Sequence, residues 1–446
     1  MIHLIGERSM KKSSLLILLS LIIIASLSMA SCATPAPTTA PVADQPTKVA
    51  ASTEAPAVSE KEVQLTYLMQ QDAVLVPAMQ AVVDDFMTEY PNIKVTIDSA
   101  PFSEYHTKLG TSFAGGNPPD IFWTDIRTAM YASQGVLMPL DDRITQENRD
   151  DYLATAWNET IYEGVTYAVP LHQLTEGIYV NTQMASDAGI VLPTNVEEAW
   201  TWEEFMDVAK TLTKREGDAT LVWGFSQQRP LQDWSMLPLF FQNTAETLSP
   251  DLTEASGYIN SQAGIEAMTF MGSWYTTEKI VSVETIPDGF PNGSLAMMQA
   301  PSSYRPLLES KFPDFKFTIV PMFKNKSCGV TTGGWNLGIA SASKHPEEAW
   351  ILVDYLTRTA HEKWVTTSGY LPARKSVIEA NPQFGEYPWV VFMEQLENCA
   401  VTRPATPKYS FYFDTFKQMV VDISVGGDVT SVVNRTAEAL DAELGQ

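Results

Sequence analysis

Polar and apolar residues change period repeatedly along the body of the chain, and the changes predict alternating strands and helices. Glu62-Val-Gln-Leu-Thr-Tyr-Leu68 alternates with period two, as a half-buried strand does. From Val74 to Tyr90 the apolar positions Val76, Met79, Val82, Val83 and Phe86 follow helical spacing, and Pro91 closes the run. Ile93 to Asp98 alternates again, Phe102 to Ala114 reads as a helix ended by Gly115-Gly116, and Pro119 to Trp123 as a third strand. Further on, strands are predicted at 177–181, 221–226, 294–299, 317–320 and 335–340, and helices at 200–212, 265–275 and 345–357. Thr201 as N-cap with Glu204 three residues later marks the start of the 200–212 helix. The last third is mainly helical, with helices over 390–397, 412–424 and 429–444. Such alternation implies an α/β fold with parallel strand pairs.

The N-terminus departs from this pattern. Arg8, Lys11 and Lys12 precede an apolar run from Leu15 to Ala30, broken only by serines. Sixteen residues rise only about 24 Å as a helix, short of a bilayer core, so residues 1–31 read as a secretory signal peptide, with Met10 a second candidate start. Met29-Ala30-Ser31-Cys32 resembles the bacterial lipoprotein box, which implies a diacylglycerol on Cys32 and a chain held to the outside of the cell membrane. Residues 32–61 then supply a tether: Ala33 to Glu60 is rich in Ala, Pro and Thr and lacks apolar periodicity. Its reach is roughly 30 Å as a coil and about 85 Å fully extended.

Composition narrows the function classes. At 446 residues the length suggests two or three domains. The formal charge is −24, near −26 once the net +2 of residues 1–31 is gone, and a surface that acidic repels phosphate backbones. Nucleic acid is therefore excluded as an expected partner. Beyond Cys32 only Cys328 and Cys399 remain, and in an exported chain they form a disulfide or stay as two buried thiols. The sequence has no Gly-x-Ser-x-Gly elbow, His-Glu-x-x-His, P-loop or Cys-x-x-Cys. No catalytic residues, cofactor or metal site are expected.

Seven segments, in order, resemble the extracellular solute-binding family of which maltose-binding protein is typical. They are Pro119-Asp-Ile-Phe-Trp-Thr-Asp125 with Gly135 to Asp142, Tyr167 to Asn181, Trp200-Thr-Trp-Glu-Glu-Phe205, Phe290 to Met298, Gly333-Gly-Trp-Asn-Leu-Gly-Ile339, Ser343 to Trp350, and Gly369-Tyr-Leu-Pro-Ala-Arg374. Ala199-Trp200 departs from the family's usual lead-in to that helix. The resemblance implies a two-lobed periplasmic-binding-protein-like fold, with discontinuous lobes, central sheets flanked by helices, a hinge and a ligand cleft. Lobe 1 is expected over 62–172 plus about 328–378, and lobe 2 over about 173–327 plus about 379–446. It further implies a monomer that hands a captured sugar to the permease of an ABC-type importer.

A sugar needs flat aromatic faces together with groups that donate and accept hydrogen bonds. Trp123 and Asp125 follow a strand end, where open α/β sheets bind ligands; the alternative is a core Trp beside an Asp that caps the next helix. His172 and Gln173 stand at the first expected hinge crossing, either facing the cleft or packing the hinge. Trp234 is a cleft residue or a buried helix anchor, and Tyr304 an aromatic platform. Gly334, with Gly333, would let backbone approach a ligand closely beside the face of Trp335. Arg374 bonds hydroxyls or pairs with a carboxylate, and Tyr409 is a late aromatic candidate. Only Arg374 and Arg305 supply positive charge among these candidates, which disfavours a phosphate ester. A polyamine or a glycerol-phosphate ester is the alternative ligand.

Overall fold

The computed structural model describes residues 61–445, and the expected signal peptide, the expected lipidation site at Cys32 and the expected tether lie outside them. The chain first builds β1 (Val63–Gln70), β2 (Ile93–Ala100) and β3 (Ile121–Thr124), with β1 parallel to both others. A hairpin of β4 (Ile161–Tyr162) and β5 (Val165–Thr166) and a short β6 (Ala168–Pro170) follow. The chain then crosses into a second sheet through β7 (Leu174–Asn181), β8 (Lys214–Glu216), β9 (Ala219–Gln227), β10 (Leu295–Pro301), β11 (Phe317–Val320) and β12 (Val330–Gly333). It returns to the first sheet as β13 (Asn336–Ile339), which runs antiparallel to β3 and β6, and comes back once more as β14 (Ala400–Thr402), parallel to β12.

Two sheets result, one ordered β2-β1-β3-β13-β6 and the other β14-β12-β7-β10-β9-β8 with β11 also on β7. Each is flanked by helices, so the expected two-lobed α/β architecture is present. One expected boundary moves. The expected return to the first lobe is at about 328, but β12 pairs with β7 and β14 in the second sheet, so the crossing falls at Gly334.

Helix formation follows the apolar stripes. The helix Leu75–Glu89 buries Leu75, Ala78, Met79, Val82, Val83 and Phe86, one face of a 3.6-residue repeat, against β1 and β2. Thr201 and Glu204 close the capping box that starts Trp202–Leu212. The helix expected to run from His345 to Thr357 is regular only over Pro346–Asp354. It then widens into a π-helical turn at Tyr355–Thr359, where the Thr357 carbonyl accepts from Tyr152 and Arg374. Asp233–Gln242 escaped the pattern because all ten of its residues are buried, which leaves no polar face to set a period. No helix among the described residues is long and apolar enough to cross a membrane.

The two cores interlock. One is built on Tyr67, Trp123, Trp335 and Trp364, the other on Phe205, Phe225, Trp274 and Phe323. Trp234, carried by the second lobe, packs in the first core, and Ile126, carried by the first, packs in the second.

Cys328 and Cys399 form a disulfide at the entry to β12 and β14. It closes a loop whose ends are 71 residues apart and which holds the entire second excursion into the first lobe. Loop-closure entropy for that length amounts to about 4 kcal/mol. The C328S/C399S chain should lose stability of that order in urea unfolding; an unchanged midpoint would mean that the β12–β14 pairing alone closes the loop.

Candidate binding cleft

Between the sheets the strand ends converge on a group of buried polar side chains. After β3, Asp125 accepts the Arg127 backbone N–H at 3.0 Å and pairs with the Arg127 guanidinium at 2.5 Å. From the second lobe, Asp233 accepts the Trp234 backbone N–H at 2.7 Å and the hydroxyl of Tyr409, which in turn accepts from Arg403 at 3.0 Å. The lobes meet where Arg127 lies over the Tyr409 ring at 4.9 Å. Arg403 covers the Trp234 ring, also at 4.9 Å. Glu159 accepts the Gly334 N–H at 3.3 Å, and a Cβ on Gly333 would fall 2.8 Å from the Glu159 carboxylate and 3.2 Å from both Arg403 and Trp234.

Burial and charge compete in this cluster. Burial raises the Asp125 carboxyl, but Arg127, His106 and Arg403 outweigh it and hold it down at about 2. Burial pushes Glu159 up to about 8 against the pull of Arg403. Burial also lowers His106 to about 4, despite nearby Asp125. Arg403 would be lowered by burial, yet Tyr409, Asp233, Asp125 and Glu159 carry it the other way. Four polar atoms here have no protein partner: His106 Nε2, one Glu159 oxygen, Trp234 Nε1 and Arg403 Nε. Buried groups of this kind call for a hydrogen-bonding molecule.

Toward the cleft mouth lies a pocket of about 280 Å³ with Gln70, Asp72, Phe102 and Tyr370 on one side and Gln228, Arg229, Ser303 and Tyr304 on the other. A wider, open depression along the helix Phe102–Ala114 is lined by small and charged side chains and has no aromatic face.

The residues expected to bind divide sharply. Asp125, Trp234 and Tyr409 belong to the inner cluster, and Tyr304 lines the mouth. Asp125 also fills its alternative role, since its carboxylate and carbonyl receive the N–H groups that open the helix Thr128–Ser133. Trp123 is no platform. It is wholly buried, donates to Tyr67, and is enclosed by Trp335 at 5.3 Å, His172 at 5.7 Å and Trp364 at 6.1 Å. Trp335 is walled in by Tyr105, Trp123 and His106, whose ring stacks on it at 6.0 Å. His172 accepts from Trp364 at 3.2 Å and packs on Tyr370, and burial holds its imidazole well below its ordinary pKa. Gln173 accepts from Thr332 at 2.9 Å across the hinge. Gly334 serves backbone, not ligand: a Cβ there would sit 1.8 Å from the His172 carbonyl oxygen. Arg374 is spent on Asp151 at 2.7 Å, Asn148, Tyr152 and the Thr357 carbonyl.

The expectation of few cleft cations is also corrected. Arg305 pairs with Glu309 and lies over Trp389, away from the cluster. Arg127, Arg229 and Arg403 supply the charge instead. Arg229 and Arg403 each follow a strand end and precede a proline, a signal visible in the sequence, since a residue before proline is held extended at the sheet's rim. Glu159 and His106 carried no such mark.

Two discontinuous α/β lobes around a polar, aromatic-walled cleft define a hinged binding protein. The family model for bacterial extracellular solute-binding protein matches residues 72–363, and the chain belongs to that family. It is 25% identical over 324 residues to the arabinooligosaccharide-binding protein of Halalkalibacterium halodurans, covering 67% of this chain and 68% of that one. To the multiple sugar-binding protein of Streptococcus mutans it is 24% identical, covering 72% and 77% respectively. Among solved structures it resembles an ABC transporter solute-binding protein from Thermotoga lettingae bound with α-D-tagatose (TM-score 0.76, 23% identity, 86% of this chain and 100% of that one). It also resembles a substrate-binding protein of Listeria monocytogenes in complex with cycloalternan (TM-score 0.74, 23% identity, the same coverage).

Glu159 gives a pH test. Its unfolded carboxyl ionises near pH 4.5 and its folded one near 8, so folding takes up a proton between those values and stability falls as pH rises through them. Glu159→Gln, which cannot ionise, should be more stable than the parent at pH 8, by on the order of a few kcal/mol, and equal to it near pH 4.5. Urea unfolding at both pH values measures this; equal stabilities at pH 8 would show that Glu159 is ionised in the folded chain.

Proposed function

We propose that the chain captures a sugar or oligosaccharide outside the cell and delivers it to the permease of an ABC-type importer, with the lobes closing on it and no bond made or broken. The inner cluster carries the reading: the Trp234 and Arg403 N–H donors, the His106 Nε2 and one oxygen of the Glu159 carboxyl stand unpartnered beside aromatic faces. Hydroxyls both donate and accept, so a saccharide satisfies such a mixed set and its C–H faces rest on the rings. The named relatives that bind sugars support the same class. A polyamine fits less well, because Asp125 is already paired with Arg127 and Asp233 with Tyr409 and a backbone N–H.

Thermal shift against neutral mono- and oligosaccharides is the direct test, since a ligand that binds only the native chain raises its melting temperature. Trp234→Ala should weaken the best ligand at least tenfold by calorimetry. Appearance of hydrolysis products in the same incubations would turn the reading toward an enzyme.

The anchor belongs to the same proposal: Cys32 carries acyl chains, and the tether holds a monomeric body near the permease. Cys32→Ser should move the exported protein from the membrane fraction to the soluble fraction. A variant that stays with the membrane would place the anchor elsewhere.

A further inference from the structure

Arg229 differs from the other two cleft guanidiniums. Arg127 is held by Asp125, and Arg403 by Tyr409 beside Asp233, whereas no hydrogen bond or ion pair to a protein group holds Arg229 among the described residues. It is part-buried in the mouth pocket, with its guanidinium over the Phe102 ring at 5.2 Å. Burial lowers its pKa, with Arg403 adding to the effect, and Tyr370, Glu176 and Asp233 do not restore it. The chain has 53 acidic residues against 29 Lys and Arg, so a cation left unpaired in a pocket runs against the composition.

The nearby carboxylates are occupied. Asp233 takes the hydroxyl of Tyr409 and a backbone N–H, and Glu176 takes Gln299 and Ser235. Asp72, across the pocket, receives the Val74 and Leu75 N–H groups on one oxygen and keeps the other for a hydroxyl. The helix Tyr304–Lys311 begins at the pocket wall with no acidic residue in its first turn and no side-chain cap, so its first N–H groups add to the positive potential around Arg229.

The geometry points to a saccharide that carries a carboxylate, a sugar acid or an oligosaccharide with a uronic residue, whose acid group pairs with Arg229 while its hydroxyls meet Asp72, Gln70 and Tyr370. This assignment rests on the saccharide reading above and names the ligand class within it. A planar carboxylate matches one guanidinium through two parallel hydrogen bonds, whereas a phosphate dianion gathers further cations, and the mouth pocket has none.

The test is calorimetry on the full-length chain with two matched pairs of probes: galacturonate oligomers beside neutral galactose oligomers of equal length, and galactose 6-phosphate beside galactose. The acidic oligomer should bind at least tenfold tighter than the neutral one, and Arg229→Gln should collapse that ratio toward one. The parent chain's ratio is decisive even if the variant fails to fold. Equal binding of acidic and neutral oligomers, a ratio that survives in a folded Arg229→Gln chain, or a preference confined to the phosphate would each overturn the assignment and leave the saccharide reading standing. Failure of every saccharide, acidic or neutral, to bind would overturn both together.

Discussion

At the hinge the backbones of Gly334 and His172 pass so close that no side chain fits between them. One strand leaves the first sheet through residues 171–173 to become β7, and another returns through 334–335 to become β13, and the two run antiparallel past each other. Gly333 pairs with Leu174 on one side of the crossing and Asn336 with Pro170 on the other. With a Cβ on residue 334 only 1.8 Å from the His172 carbonyl oxygen, any other side chain would force the two strands apart. The register of β6 against β13, the seat of Trp335 and the N–H offered to Glu159 all follow from that approach. A neutral His172 fits the same constraint, because it sits between Trp123, Trp364 and Tyr370 with no anion near it.

Around the crossing, buried charge opposes simple collapse. Isolated guanidinium and carboxylate groups lose several kcal/mol of hydration on burial, and pairing returns only part of it. Asp125 and Arg127 settle this within one lobe, and Asp233, Tyr409 and Arg403 within the other. Contacts that bridge the lobes, such as Arg127 on Tyr409 and Arg229 on Phe102, rest on ring faces and not on opposite charges. No hydrogen-bonded guanidinium–carboxylate pair among these groups joins the lobes, and the coupling between them is the longer-range pull of Arg403 on Asp125 and Glu159.

Much of the architecture was legible in the sequence because its helices are amphipathic and its strands alternate. The stripe from Val76 to Phe86 and the Thr201–Glu204 box lead directly to observed elements. The site was less legible, for physical reasons. Residues at a strand end can point into the core or into the cleft, and nothing local distinguishes them, so Trp123 read like a platform and is core, while Arg403 passed unnoticed and is central. Arg374 resembled a ligand residue because its partner Asp151 is 223 positions away, a pairing that exists only in the folded chain. Asp233–Gln242 was invisible as a helix because burial on every side erases periodicity. The disulfide stayed open for a related reason: β12 and β14 are three or four residues long, too short to show that their entries lie side by side.

The position of that disulfide bears on motion. Both cysteines precede strands of the second sheet, so the bridge ties β12 to β14 without spanning the hinge. The excursion into the first lobe between Gly333 and β14 is thus tied together at its second-lobe ends. The same bridge sets the spacing of what those strands carry at their far ends, Gly333 on one and Arg403 after the other. An unpaired Arg403 Nε from the second lobe and an unpaired Glu159 oxygen from the first belong to side chains that both lie against Gly333. A ligand that satisfies both gains contacts in the closed form that it cannot make in the open one, and that difference is what drives a two-state hinge toward closure.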